Sequence, residues 1–394
     1  MKVYLDNSAT TALDHEVLET MLPYFTDNFG NPSSLHGYGR RALKAVDEAR
    51  EKIAKCIGAK ANEIYFTSGG SESDNWALKG IVGASKQKRK HIITTAIEHP
   101  AIMDTLDYLK AKENIEVTYL PVDKDGRISV SDLEDAVTDD TILVSVMFAN
   151  NEMGAIQPIA EIGRFCREEG IIFHTDAVQA MDSQDIDVNE LNIDMLSMSA
   201  HKFHGPKGIG VLYIRSGVKI DRLISGGHQE RRMRAGTTDT PLIVGMAKAL
   251  EIAVRDRNDN NERIAALRDK FVNRVLTEIP FTYLNGGMEY RLPNNANISF
   301  EYIEGESILI NLDLAGIAVS SGSACSSGSL EPSHVILALG VKEELAHSSI
   351  RFSLGKDTTE EEMDYTFNVL KASVERLRKM SPLFNMEKGT GSYV

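Results

Sequence analysis

The chain has 394 residues, with 43 Lys and Arg against 57 Asp and Glu, for a formal net charge of −14. Two or three domains with a large core fit that length, and 42% apolar with 25% charged residues excludes mini-proteins, wholesale disorder and fibrous repeats. So acidic a surface repels phosphate backbones, which excludes direct nucleic-acid binding, and no apolar run approaches the ~18 residues that a membrane helix needs.

From about residue 60 to 215, short β-rich runs alternate with longer helical patterns. Glu63 to Thr67 reads as a strand, and a helix follows with Trp76, Ala77 and Leu78. His91 to Thr95 is the next strand, with a helix after Pro100. Thr141 to Phe148 has the Val/Ile richness of a buried strand; Pro158 opens a helix, Gly170 ends it, and Ile171 to Phe173 returns to strand. Repeated βα units predict an α/β fold, a mostly parallel sheet with helices on both faces and a ligand site at the strands' carboxyl ends. After Pro241 a long helix runs to about Val275, followed by strands at Phe281 to Leu284 and Ala296 to Phe300, a helix from Glu306 and a last one from Thr359 to about Leu377. This is the pattern of a smaller α+β domain. The expected division is 15–255 for the large domain, and 1–14 with 256–394 for the small one. Ser320 to Ser329 is too polar for core and too rich in glycine to be stiff, so a mobile loop is expected there.

Cys56, Cys166 and Cys325 are scattered and odd in number, with no Cys-x-x-Cys spacing. A reducing, cytoplasmic setting is expected, with neither a disulfide framework nor a zinc site. With Asp6 so near Met1 there is no signal-peptide core.

Four segments just after strands could carry chemistry. In Thr67-Ser68-Gly69-Gly70-Ser71, two glycines and the hydroxyls at a helix start suit a phosphate, although Ser71 as a plain N-cap reads equally well. Asp176 in His174-Thr175-Asp176 is a carboxylate at a buried strand end. It caps a helix or meets a cation such as a protonated ring nitrogen. Lys202, in Ser199-Ala200-His201-Lys202, sits where its amine could be desolvated and prepared for imine chemistry. His99, between a strand and Pro100, could stack on a flat ring and move protons, or could be structural. The His201/His204 spacing lacks a nearby carboxylate or thiol, so no metal is expected. Phosphate cradle, ring-nitrogen carboxylate and imine-forming lysine, in that order on one parallel sheet, are together the requirements of pyridoxal phosphate.

At this point the chain resembles the NifS/IscS-type (group I) cysteine desulfurases, of the class V aminotransferase family and the aspartate aminotransferase fold (fold type I of pyridoxal phosphate enzymes). The likeness runs from Tyr4-Leu5-Asp6-Asn7-Ser8-Ala9-Thr10 to Ser381-Pro382-Leu383. It includes Gly30-Asn31-Pro32-Ser33-Ser34, Glu98-His99-Pro100, Asn150-Asn151-Glu152, Arg234-Ala235-Gly236-Thr237, Ser321-Gly322-Ser323-Ala324-Cys325 and Arg351-Phe352-Ser353-Leu354-Gly355. The resemblance implies that Lys202 bonds the cofactor, Asp176 pairs with its ring nitrogen, His99 stacks on the ring, and Gln179 and Asn151 surround its phenolic oxygen. Gly70, Ser71, Ser199 and His201 would hold the phosphate, with Thr237 reaching in from the second subunit of a homodimer. Arg351, with Asn31, would grip the carboxylate of L-cysteine. Cys325 would take the sulfur as a persulfide and pass it to an iron–sulfur scaffold protein or another acceptor. No metal is implied in the chain itself, and Cys325 is the residue that could touch a cluster on a partner. Two departures stand out: Gly69-Gly70-Ser71 replaces the Gly-Ala-Thr of many relatives, and the tail beyond Pro382 is short.

Overall fold

The computed structural model describes residues 1–321, 331–385 and 390–391. The first core is built on a seven-stranded sheet. Its strands in chain order are β1 (Ile64–Thr67), β2 (Lys90–Thr95), β3 (Ile115–Leu120), β4 (Thr141–Ser145), β5 (Ile172–Asp176), β6 (Met195–Ser199) and β7 (Gly210–Ile214). In space they run β1-β7-β6-β5-β4-β2-β3, all parallel except β7, which is antiparallel to both of its neighbours. β6 and β7 are buried along their whole length, as a sheet covered on both faces requires. Helices α1 (Gly70–Ala84), α2 (Pro100–Glu113) and α3 (Ile159–Glu169) follow β1, β2 and β4.

The strand expected to reach Phe148 ends at Ser145, and hydrogen bonding explains why. The Val146 and Phe148 amides still donate to His174 O and Asp176 O of β5. On the other side, the Met147 amide finds no strand and donates to the Glu98 carboxylate at 2.9 Å. β5, in contrast, runs three residues beyond the expected Phe173 and takes in His174, Thr175 and Asp176. Polar residues are tolerated there because His174 is bonded on both ring nitrogens, to Ser145 Oγ at 2.9 Å and Ser197 Oγ at 3.0 Å.

The long helix α4 (Thr240–Glu278) carries the chain from one core to the other. Its first half, from Ile243 to Ile252, packs with the large sheet, while Ile264, Phe271, Val272 and Val275 belong to a second core. That core also takes in Val3 and Leu5, and it covers a four-stranded sheet of β8 (Thr282–Leu284), β9 (Asn295–Phe300), β10 (Ser320–Ser321) and β11 (Ser349–Ser353), in the spatial order β10-β11-β9-β8. Among the described residues, no helix is long and apolar enough to cross a membrane.

Candidate functional site

The carboxyl ends of β1, β4, β5 and β6 open on one cavity of roughly 280 Å³. It is lined by Ser8, Ala9, Gly70, Ser71, Asp74, His99, Met147, Ala149, Asn151, Asp176, Val178, Gln179, Ser199, His201, Lys202 and Arg351. Ten of the residues expected from the sequence therefore meet in one place: Gly70, Ser71, His99, Asn151, Asp176, Gln179, Ser199, His201, Lys202 and Arg351.

At one end is the start of α1. Gly69 precedes it at φ +156°, a conformation that side chains disfavour, and no side chain caps the helix. A Cβ on Gly210, at the start of β7, would come within 2.7 Å of the Gly69 Cα, so this turn is pressed against the sheet. A Cβ on Gly70 would meet Val178 Cγ2 at 2.7 Å and Ser199 Cβ at 3.7 Å. The helix thus presents its free amides beside the Ser71 and Ser199 hydroxyls, a ready anion site, and the helix begins at Gly70 without Ser71 as its cap. His201 beside it is pushed down to about 4, by burial first and then by the charges of Lys202 and Lys207, so its ring is neutral near pH 7. Its Nδ1 bonds Thr10 Oγ1 at 3.1 Å.

In the middle, Asp176 ends β5. One carboxylate oxygen accepts from the Val178 amide at 2.9 Å, so the residue closes a turn without capping a helix. Burial pushes its pKa up, opposed by its electrostatic interaction with His99, by the Val178 amide and by the positive charge of Lys202. A protonated ring nitrogen would offset that burial, because an opposite charge favours the ionised carboxylate. His99 caps α2, its Nδ1 accepting from the Ala101 amide at 3.1 Å. Burial lowers its pKa, so the neutral ring carries its proton on Nε2. Lys202 follows β6 on a single 3₁₀ turn, Ala200–Lys202, and its Nζ donates to Ala9 O at 2.9 Å and also to Ser8 O. Gln179 is tied to the same segment, its Nε2 donating to Ser8 O at 2.9 Å. The anion cradle, the buried carboxylate and the lysine, all lining one cavity, thus fit the chemistry of pyridoxal phosphate.

The far end is Arg351, in the middle of β11 between Asn297 of β9 and Ser320 of β10. It is 1% exposed; Nη1 donates to Asn151 O at 3.1 Å and Nη2 to Asp6 Oδ1 at 2.7 Å. Asn151 is presented by a turn that Asn150 holds, its Oδ1 accepting from the Glu152 and Met153 amides.

Two expected residues lie elsewhere. Asn31 is exposed, its Oδ1 accepting from the Ser33 amide, and does not line the cavity. Thr237 lines a different cavity, with Thr67, Ser68, Gly208 and Arg234. Cys325 lies outside the described residues, as does most of the Ser/Gly segment around it. The described residues on either side of that segment are held close to the cavity. Ser321 pairs with Ile350, beside Arg351; Ser333 Oγ donates to Glu152 at 2.5 Å; and His334 Nε2 bonds Glu98 O at 3.1 Å.

Sequence reasoning assigned no role to Asp6, Ser8, Ala9, Asp74 or Glu98. Asp74 was within reach of it, since four residues after Gly70 a helix returns to the same face. It is 1% exposed, its Oδ1 has no hydrogen bond among the described residues, and burial and then Asp176 push its pKa well up. Glu98, equally buried, is pushed up to about 8 by burial, although Oε1 accepts from Met147 N and Thr95 Oγ1. A folded-state pKa raised from the ordinary 4.5 to about 8 contributes stability that is complete below 4.5 and is lost as pH rises through about 8. Glu98→Gln, which imitates the neutral acid, should therefore melt near the wild-type temperature at about pH 4 and increasingly above it as pH rises, by several degrees at about pH 9, as read by thermal denaturation. Equal melting temperatures at the higher pH would reject a neutral Glu98.

The sequence pattern described as Aminotransferase class-V matches residues 3–366. Over 385 residues, 97% of each chain, the protein is 57% identical to "Cysteine desulfurase IscS" of Clostridium botulinum (strain Kyoto / Type A2). It is 55% identical over 388 residues to the protein of the same name from Methanosarcina thermophila, covering 98% of this chain and 96% of that one. Among solved structures, a "NIFS-LIKE PROTEIN" superposes with a TM-score of 0.90 at 41% identity, over 96% of this chain and all of the other. "SspA in complex with cysteine" superposes with a TM-score of 0.80 at 37% identity, over 91% and 100%.

Proposed function

The chain belongs to the class-V aminotransferase family, within which it is a pyridoxal-phosphate-dependent cysteine desulfurase, and from that premise we propose how its residues remove sulfur from L-cysteine. The observation that carries the reading is a single cavity with Lys202, Asp176 and His99 at its centre, an anion cradle at one end and Arg351 at the other. Bound there, pyridoxal phosphate supplies an electron sink for the charge left when an amino acid loses its Cα proton.

The residues divide the work by position. Gly70, Ser71, Ser199 and His201 would hold the phosphate, and Asp176 would keep a proton on the ring nitrogen. Asn151 and Gln179 would lie toward the phenolic oxygen. Lys202 would anchor the cofactor covalently and, as a free amine, would take the Cα proton. Arg351 orients the substrate carboxylate, and within this chain Asn31 does not share that task. Nε2 of neutral His99 carries the one ring proton that it can give and take back. Cys325 as thiolate attacks the substrate sulfur: an S–S bond forms, the Cβ–S bond breaks, and Cβ gains a proton. L-cysteine and a thiol thus become L-alanine and a persulfide, with atoms and electrons in balance. Anchors at Ser321 and Ser333, next to the neighbours of Arg351 and Asn151, support delivery of Cys325 to this cavity.

Thr237, outside its own chain's cavity, supports a homodimer in which it serves the partner's phosphate. The separate cores support residues 15–255 as the cofactor-holding unit, and 1–14 with 256–394 as the unit that carries Cys325. The free thiols of Cys56 and Cys166 fit the reducing cytoplasm, and the persulfide would pass to an iron–sulfur scaffold or another thiol acceptor. Incubation of the holoenzyme with L-cysteine should yield equal amounts of alanine and sulfane sulfur, with the first extra sulfur mapped to Cys325 by mass spectrometry. Alanine without a persulfide, or a persulfide on another residue, would refute the assignment.

A further inference from the structure

Arg351 is already paired with a carboxylate of its own chain. Asp6, 345 positions away in sequence, accepts from Nη2 through one oxygen at 2.7 Å. The guanidinium is 1% exposed, and among the described residues its Nε is buried without a hydrogen bond. A buried cation left without a counter-charge destabilises a fold strongly, so Asp6 has a clear role in the ground state. Yet the pairing leaves half of the fork unused: a carboxylate binds guanidinium best with two oxygens on two N–H groups, whereas Asp6 offers one oxygen to one nitrogen. Asp6 is also the more solvated partner, its side chain 21% exposed against 1% for Arg351. Its backbone is pinned: Asp6 bridges to Ser353, and its carbonyl accepts from the Tyr4 hydroxyl and the Ala9 and Thr10 amides. From that fixed backbone the carboxylate meets Arg351 through one oxygen only.

We propose that Asp6 is a placeholder for the substrate's carboxylate: it neutralises Arg351 until an amino-acid carboxylate takes Nη2 and the unused Nε together, and so it sets the affinity of the site for carboxylate ligands. The proposal rests on the reading of Arg351 as the partner of the substrate carboxylate. Asp6 is a positioning residue that acts through Arg351, and every carboxylate that binds must first displace it. The placeholder keeps the buried guanidinium in its aimed position and makes binding weaker than the fork alone would allow.

The test is Asp6→Asn in the holoenzyme, which keeps an oxygen for Nη2 and removes the rival charge. KM for L-cysteine should fall by roughly three- to tenfold, while kcat stays within about twofold. A KM that rises or stays level overturns the proposal, because a purely structural Asp6 would weaken the site when altered. Asp6→Ser is the second variant, with the same expectation, should the amide disturb the turn. A second readout needs no turnover: thermal melting of the cofactor-free chain with 3-mercaptopropionate, which has the carboxylate and thiol of cysteine but no amine. Asp6→Asn should melt lower than wild type and regain more stability from that ligand, and neither chain should respond to cysteamine, which lacks the carboxylate. Equal responses of the two chains, or an equal gain from cysteamine, would also overturn it. Arg351→Lys separates the two layers. If it raises KM while Asp6→Asn fails to lower it, only the placeholder falls; if it leaves KM unchanged, the carboxylate reading of Arg351 falls as well.

Discussion

Lys202→Ala is expected to lower alanine formation from L-cysteine by about a thousandfold or more, because one amine performs two tasks. In the proposed mechanism it would bond the cofactor and, as a free amine, would be the base for the Cα proton. The turn Ala200–Lys202 aims Nζ at Ser8 O and Ala9 O on the cavity wall. The ring of His99, the other proton carrier at this point, is fixed through Nδ1 as the cap of α2. Borohydride treatment followed by mass spectrometry is the direct check: wild type should gain the mass of the cofactor at Lys202, and the variant should gain none. A variant that kept the parent rate would remove Lys202 from the mechanism.

Cys325→Ala is expected to stop persulfide formation and to slow alanine release by more than about a thousandfold, while borohydride still fixes the cofactor at Lys202. The split separates binding from sulfur transfer. Neither other thiol can rescue it. Burial pushes Cys56 up to about 11 and Cys166 up to about 12, so near pH 7 at most about one in ten thousand of either is thiolate. Cys166 is also fully buried in α3. Mass spectrometry of the variant after exposure to L-cysteine should find no added sulfur on Cys56 or Cys166; sulfur on either would show that the acceptor had been misassigned.

Most of the site was legible because most of it is local. In a parallel sheet, each strand end and the next few residues face the same crevice, so Gly70, His99, Asp176 and Lys202 could be placed from strand–loop–helix order alone, whereas Asn151, Gln179 and Arg351 came from the resemblance. Element ends were less legible where side chains replaced backbone partners. β4 stops at Ser145 because Glu98 takes the Met147 amide, and β5 continues through His174 because two serines satisfy its ring. Neither pairing leaves a mark in local periodicity.

What the amino-acid sequence determined by itself was the βα order, the long helix through both cores, and the residue types at the strand ends, all products of hydrophobic period and turn chemistry over short stretches. Only the tertiary structure decided which distant segment completes the site. Ser8 and Ala9 of the N-terminal segment line the cavity and meet Lys202, and nearby Asp6 meets Arg351 of the second sheet. Asn31, equally persuasive as a motif, does not line that cavity, and Thr237, expected to serve a second subunit, lines a different one. The physical reason is range: a strand end sees its own loop through a few covalent bonds, whereas Asp6 reaches Arg351 only after two separate cores have packed around α4 and brought the N-terminal segment beside β11.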